Sequence, residues 1–273
     1  MKQFITINKL SSLCLIIFAI TTNAYADTTL HFKQKGSQNE DKSNSIYIKS
    51  GKIRFSESDA QNGEYSIFDS NNKKIIHISP TRRAYIEMDQ NSVDKQMTAM
   101  KQQMDKMMAQ MQEQMKNMPP EQRQMMEQMM AQGKNGQMPG MPQAPKQKQI
   151  KTAKTDRVAG VKCSIVELRV GSAIKEELCI ANENQFAIDS ADKKTISNMN
   201  KFIQNMSLKA NSIMGGQPMV EQFDGVPIRT RHYSSIGKLI NETGLSSISQ
   251  NDVSEKKVSI PAGYVKQSIS QEF

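Results

Sequence analysis

The sequence predicts an α+β fold: an antiparallel sheet of short strands with packed helices, interrupted once by a Met/Gln-rich helical insert. Three observations carry that expectation. Short runs alternate apolar and polar residues with a period of two and are separated by turn-forming residues. Fourteen of the twenty methionines fall between Met97 and Met141, at helical spacing. Strand texture then resumes and is broken by one further amphipathic helix.

Residues 1–26 have the form of a secretory signal peptide. Lys2 and Lys9 supply a positive start, Leu13, Leu15, Ile16, Ile17, Phe18, Ala19 and Ile20 an apolar core, and Ala24-Tyr25-Ala26 a cleavage site that leaves Asp27 first. The apolar run is too short to span a membrane, and Leu13 before Cys14 does not suit lipidation. The expectation is an exported, periplasmic protein with no membrane span. Cleavage removes Lys2, Lys9 and Cys14, so the formal charge falls from +9 to +7 and two cysteines remain.

Residues 27–273 are expected to form one domain, with residues 90–149 as the insert and its flexible linker. Thr29–Phe32, Ser45–Ile48, Lys52–Phe55, Tyr65–Phe68, Ile75–Ile78 and Arg82–Asp89 each alternate as strands with one buried face. Residues 90–118 read as a helix that Pro119-Pro120 ends; a second helix follows, with Glu121 in its first turn and Met125, Met126, Met129 and Met130 along it. Gly133–Gln149 is rich in Gly, Pro, Gln and Lys and reads as a linker. A hairpin runs from Val161 to Ile180, and a third helix spans roughly Asp192–Ile213, ended by Gly215-Gly216. Val226–Tyr233, Leu239–Ile248 and Val258–Val265 complete the strands.

The cysteines are the first candidate site. A hairpin of Val161–Arg169 and Ala173–Ala181 would place Cys163 opposite Cys179 and Glu167 opposite Lys175, with Val166, Leu168, Ile174, Leu178 and Ile180 on the other face. In an oxidising compartment that pair reads as a structural disulfide. A redox or metal role lacks a C-x-x-C, and His31, His77 and His232 are scattered.

The methionines are the second. Met97, Met104, Met111 and Met118 recur every seven residues, Met100 and Met107 take the companion positions, and Met108 and Met115 lie beside them. The resulting thioether ribbon has four readings. It is a packing seam, an adaptable lid or protein-partner surface, a soft-metal site for Cu(I) or Ag(I) through Met104, Met107, Met108 and Met111, or an oxidant sink.

Several chemistries lack support. There is no G-x-S-x-G, H-E-x-x-H, P-loop or G-x-G-x-x-G, so no catalytic residue is nominated. Asp69-Ser70-Asn71-Asn72-Lys73 opens like a calcium loop but lacks its later ligands, and reads as a turn. Low aromatic content, with no Trp, argues against sugar and nucleic-acid binding. The basic run Lys146, Lys148, Lys151, Lys154 and Arg157 reads as a solvated linker.

A series of motifs resembles the bacterial exported domain-of-unknown-function family 4412. They are Tyr65–Asp69 leading into Ile75–Ile78, Pro80–Tyr85, Met118–Arg123, Ala159–Cys163 with Glu177–Cys179, Gly225–Arg229, and Ile260–Tyr264. The layout is similar to the periplasmic lipoprotein-carrier (LolA/LolB-like) superfamily. That resemblance implies a curved, half-barrel-like antiparallel sheet closed by helices and a non-enzymatic binding role. The ligand would be an apolar molecule or lipid on the concave face, with the Met-rich helices as lid or partner surface and no cofactor.

Overall fold

A computed structural model describes residues 27–36, 42–56, 63–116, 147–214 and 225–268, together with Pro119, Gln122 and Phe223. The signal segment, the second Met helix and most of the Gly/Pro-rich linker lie outside the described residues.

The first six strands form a meander. They are β1 (Thr28–Gly36), β2 (Lys42–Lys49), β3 (Lys52–Ser56), β4 (Tyr65–Asp69), β5 (Lys74–Ser79) and β6 (Ala84–Asp89). Tight turns set their order. Ser50 and Gly51 both adopt positive φ between β2 and β3, the backbone a two-residue hairpin needs. Between β4 and β5 the Asp69 carboxylate accepts from the Asn71 and Asn72 amides at 3.0 and 3.1 Å, an Asx turn rather than an ion loop.

The second half adds β7 (Gln147–Val158), β8 (Val161–Val170), β9 (Ala173–Ala181), β10 (Val226–Tyr233) and β11 (Leu239–Ser249). Among the described residues the strands form one open, curved sheet of twelve in the order β12-β6-β5-β4-β3-β2-β1-β11-β10-β9-β8-β7. The two meanders join where β1 pairs with β11. Only β12 (Val265–Gln267) is parallel to its neighbour, β6, so the sheet is mixed.

Among the described residues two α-helices complete the α+β fold. The 27-residue α1 (Gln90–Lys116) follows β6 directly, started by a reciprocal cap in which the Ser92 amide donates to the Asp89 carboxylate at 2.7 Å and the Asp89 amide to Ser92 Oγ at 2.9 Å. The second, α2 (Ser190–Met214), lies between the neighbouring strands β9 and β10 and crosses the sheet to reach β2 and β3. Ile196 and Phe202 face inward; the Phe202 ring sits 5.5 Å from that of Phe68. This inner face carries the main core, including Leu30, Ile48, Ile53, Ile165 and Ile228.

Apolar residues line both faces of several strands, not the one face expected. On β4 and β5 the outer face holds Tyr65, Ile67, Ile76 and Ile78. The segment after β11 covers them. The Val253 amide donates to the Asp27 carboxylate at 2.8 Å, Val258 is fully buried, and Ile260 and Tyr264 pack on the outer cluster before β12 lines up beside β6. The strand expected at Val258–Val265 is therefore a strap whose apolar side chains anchor it without a ladder; only Val265–Gln267 pairs.

Two further expectations are corrected. The basic run is not a linker, because Lys148–Arg157 lies within β7. The β8–β9 hairpin has the expected limits to within a residue but not the expected register. Ile165 faces Cys179 and Glu167 faces Glu177, with an irregularity between Leu168 and Arg169. The turn and that bulge together shift the pairing by two residues from the expected register.

Candidate functional site

The inner face divides into an apolar part and a charged part. Along β8 it runs Cys163, Ile165, Glu167, and along β9 Ala181, Cys179, Glu177, so each strand leaves the core and ends in a carboxylate. Glu167 is buried and takes both Nε and an Nη of Arg169, at 2.8 and 2.6 Å. Glu177 and Glu242 flank Arg231 at 3.0 and 2.5 Å, and Glu177 also reaches Arg229 at 3.4 Å. Burial beside this network pushes the Tyr233 hydroxyl above its ordinary range.

The sheet curls around that charged part. Asp156 on β7 pairs with Cys163 and so shares its face, yet its carboxylate meets Arg229 on β10 at 2.7 Å. The Arg229 guanidinium holds the Asp156 carboxyl below its usual range. Cα atoms of β7 and β11 come within 8 Å, whereas four flat strand steps of about 4.8 Å would separate them by about 19 Å. The β7–β11 end is thus strongly concave, and its interior is an Arg/Glu lattice. Sequence reasoning missed this cluster, because its members are spread over the five strands β7 to β11.

The apolar part, over β1–β4, is covered by α2, and α1 leans on that cover. Lys209 of α2 meets the Asp94 carboxylate at 2.7 Å, and Met97 is buried. Further along α1, Met100 and Met107 are 40% and 53% exposed, while Met108 and Met111 are half-buried; Leu208 on α2 is 55% exposed. The side chains of Met104 and Met115 lie outside the described residues, so of the four methionines nominated for a soft metal the structure positions Met107, Met108 and Met111. Among the described residues no group of three or more His, Cys, Asp or Glu side chains could hold a metal ion, and no helix is long and apolar enough to cross a membrane.

Cys163 and Cys179 are disulfide-bonded, with Cα atoms 5.3 Å apart, and both are buried in the main core. The shifted register makes the bridge diagonal rather than directly cross-strand. The expected Glu167–Lys175 ion pair gives way to Glu167–Arg169.

The sequence places His77 on a strand, but it does not reveal the partners of His77 or the burial of Asp192. His77 on β5 lies between Ser66 Oγ at Nδ1 (3.2 Å) and the Glu64 carboxylate at Nε2 (3.4 Å). Glu64 is also bound by Ser79 at 2.9 Å and Arg82 at 3.4 Å, so the row ties β4 to β5 and to the turn that follows. Asp192, in the first turn of α2, is buried and has one carboxylate oxygen without a hydrogen-bond partner among the described residues. Burial raises its pKa, helped by the neighbouring carboxylates of Asp189 and Asp27 and opposed by the Thr28 hydroxyl.

No family model matches this chain, and no curated protein matches it in sequence. Distant structural likenesses exist. An uncharacterized conserved protein from Thermus thermophilus is 8% identical over 90% of this chain and 92% of its own, with a TM-score of 0.37. PNGF-II is 7% identical over 90% of this chain and 32% of its own, with a TM-score of 0.43. The Pseudomonas aeruginosa MucA/MucB complex matches at 8% identity over 87% of this chain and 56% of the matched chain, with a TM-score of 0.34. The chain thus spans a third to about half of the latter two. Likenesses of this size assign neither family nor function.

Proposed function

We propose that this chain is an exported, non-enzymatic binding protein of the periplasm that holds an apolar, lipid-like ligand between the concave sheet and its helices, with α1 as an adaptable lid. The observation behind the proposal is the exposure of Leu208 on α2, which covers the apolar part of the inner face, and of Met100 and Met107 on α1, which docks on α2. Thioether side chains accept varied apolar shapes, which suits a lid closing on a flexible ligand. The signal-like leader and the disulfide fit an oxidising, extracytoplasmic site. The charged lattice at the β7–β11 end is unsuited to an apolar chain, so the ligand belongs at the α1/α2 end.

The test is uptake of a fluorescent fatty acid by delipidated mature protein, alongside native mass spectrometry of protein taken gently from the periplasm. Saturable uptake, weakened at least tenfold in Met100→Glu/Met107→Glu, is the expected result. Both positions are exposed, so the double variant keeps the fold. No uptake, or uptake indifferent to that variant, would overturn the proposal.

A further inference from the structure

The two edges of the sheet are treated differently. Beyond β6 the chain lays down its own β12, whose Val265 amide donates to the Arg83 carbonyl at 3.0 Å. Beyond β7 nothing among the described residues pairs, although β7 is twelve residues long. An open edge offers a row of amides and carbonyls to any extended chain.

Side chains on β7 narrow the choice of partner. Lys148, Lys151, Lys154 and Arg157 are all exposed, as is Lys162 beside them on β8. Asp156, the one acid on the strand, is spent on Arg229. Cations on an edge commonly serve only to deter pairing with like strands. Here they are interrupted by Ile150, 41% exposed between Lys148 and Lys151, and an edge built only for repulsion has no use for an exposed isoleucine. The neighbouring Gln149 amide nitrogen is shielded from water and has no hydrogen-bond partner among the described residues.

The backbone then marks the open segment. Toward the C-terminal end of β7 the amides of Lys154 and Arg157 are taken by the Thr152 hydroxyl and the Asp156 carboxylate. Gln147–Lys151 keeps regular pairing with β8, from Gln147–Val170 to Lys151–Val166. Lys148 and Ile150 project on one face and Gln149 and Lys151 on the other, so an added strand would meet a cation on each face.

We propose that Gln147–Lys151 is a strand-addition site for an extended, acidic segment of a protein partner, with backbone hydrogen bonds supplying affinity and Lys148, Ile150 and Lys151 the selectivity. The site lies at the opposite end of the strand order from β6 and α1, and does not depend on the apolar-ligand reading.

The probe is a fluorescein-labelled octapeptide of alternating Glu and Val, followed by anisotropy and by amide hydrogen exchange of the full mature chain. Expected are saturable binding, slowed exchange at Gln147–Lys151, and at least tenfold weaker binding for Lys148→Glu/Lys151→Glu. The same peptide N-methylated at alternate amides keeps its charge but cannot complete a ladder, and should also bind at least tenfold more weakly. Equal binding of the N-methylated peptide would overturn the proposal in favour of plain charge attraction, without reliance on any protein variant. No binding, protection outside β7, or displacement of the peptide by phosphatidylglycerol vesicles would likewise overturn it, the last pointing to a lipid surface. Fatty-acid uptake measured on the same variants keeps the two proposals separate, because it should not change.

Discussion

Removing the disulfide gives the most direct energetic test of the β8–β9 hairpin. The bridge joins residues 16 apart in sequence. Closing a loop of that size restricts the unfolded chain by about 3 kcal/mol in the chain-entropy account. Both sulfurs lie in the main core, so Cys163→Ala/Cys179→Ala keeps the site apolar and mainly deletes the cross-link. Against a total stability of about 5–15 kcal/mol for a typical domain, that loss is large. Guanidinium unfolding of wild type, reduced wild type and the double variant should show the latter two destabilised alike, by about 3 kcal/mol. Their denaturant slopes should rise, because an uncrosslinked unfolded chain exposes more surface. A loss below about 1 kcal/mol would refute the loop argument. Two free thiols in the denatured, unreduced protein would refute the bridge itself.

Three further outcomes are expected. Asp192 has a pKa raised by burial, so as pH climbs from the ordinary carboxylate value of 3.8 toward the raised one the unfolded chain releases its proton first and stability falls. Asp192→Asn should remove that fall, and a urea midpoint series across acid to neutral pH that shows no divergence between variant and wild type would count against it. Under mild peroxide, peptide mapping should find Met100 and Met107 oxidised well before the buried Met97; simultaneous oxidation would mean that α1 does not stay docked on α2. Gly225 has φ +145°, and a Cβ there would meet the Ala181 carbonyl oxygen at 2.5 Å. Gly225→Ala should therefore cost about 1–3 kcal/mol, and an unchanged thermal midpoint would contradict the close approach of the chain entering β10 to β9.

What could be read from the sequence follows the strength of the periodic signal. β8, β9 and β10 are each preceded by a glycine-containing turn or bend (Gly160, Gly171 and Gly225), and their limits were predictable to within a residue. The register between β8 and β9 was not, because a bulge at Leu168/Arg169 leaves each strand's own alternation intact while shifting the partner. The basic residues of β7 passed for a solvated linker, although strand texture is legible from Ile150, because an edge strand on a strongly curled sheet exposes both faces, which weakens the period of two. Val258 and Ile260 mimicked strand alternation, yet Val258 is buried outside any ladder and Ile260 packs on the outer face as part of a strap. The Met ribbon was visible as a helix, but its division into a docked Met97 and an exposed Met100 and Met107 depends on where α2 crosses the sheet, a tertiary fact. The charged lattice leaves only a faint trace: Arg229 and Arg231 at spacing two, with acids at Glu177 and Glu242 in other strands.

That lattice constrains what the concave face can do. Glu167 is buried, and stripping it of Arg169 would leave an unpaired buried charge at a cost of several kcal/mol, while the half-buried Glu177, Arg229 and Arg231 are held to one another by ion pairs rather than free to yield to an apolar guest. Glu167, Glu177, Arg229 and Arg231 therefore act as a wall at the curled end, and the disulfide sits where the wall meets the apolar core. On the other side of the wall, β7 presents its cations and open backbone outward. A single curl in the sheet thus separates two chemistries: an apolar face covered by α2 at one end, and a basic strand edge at the other.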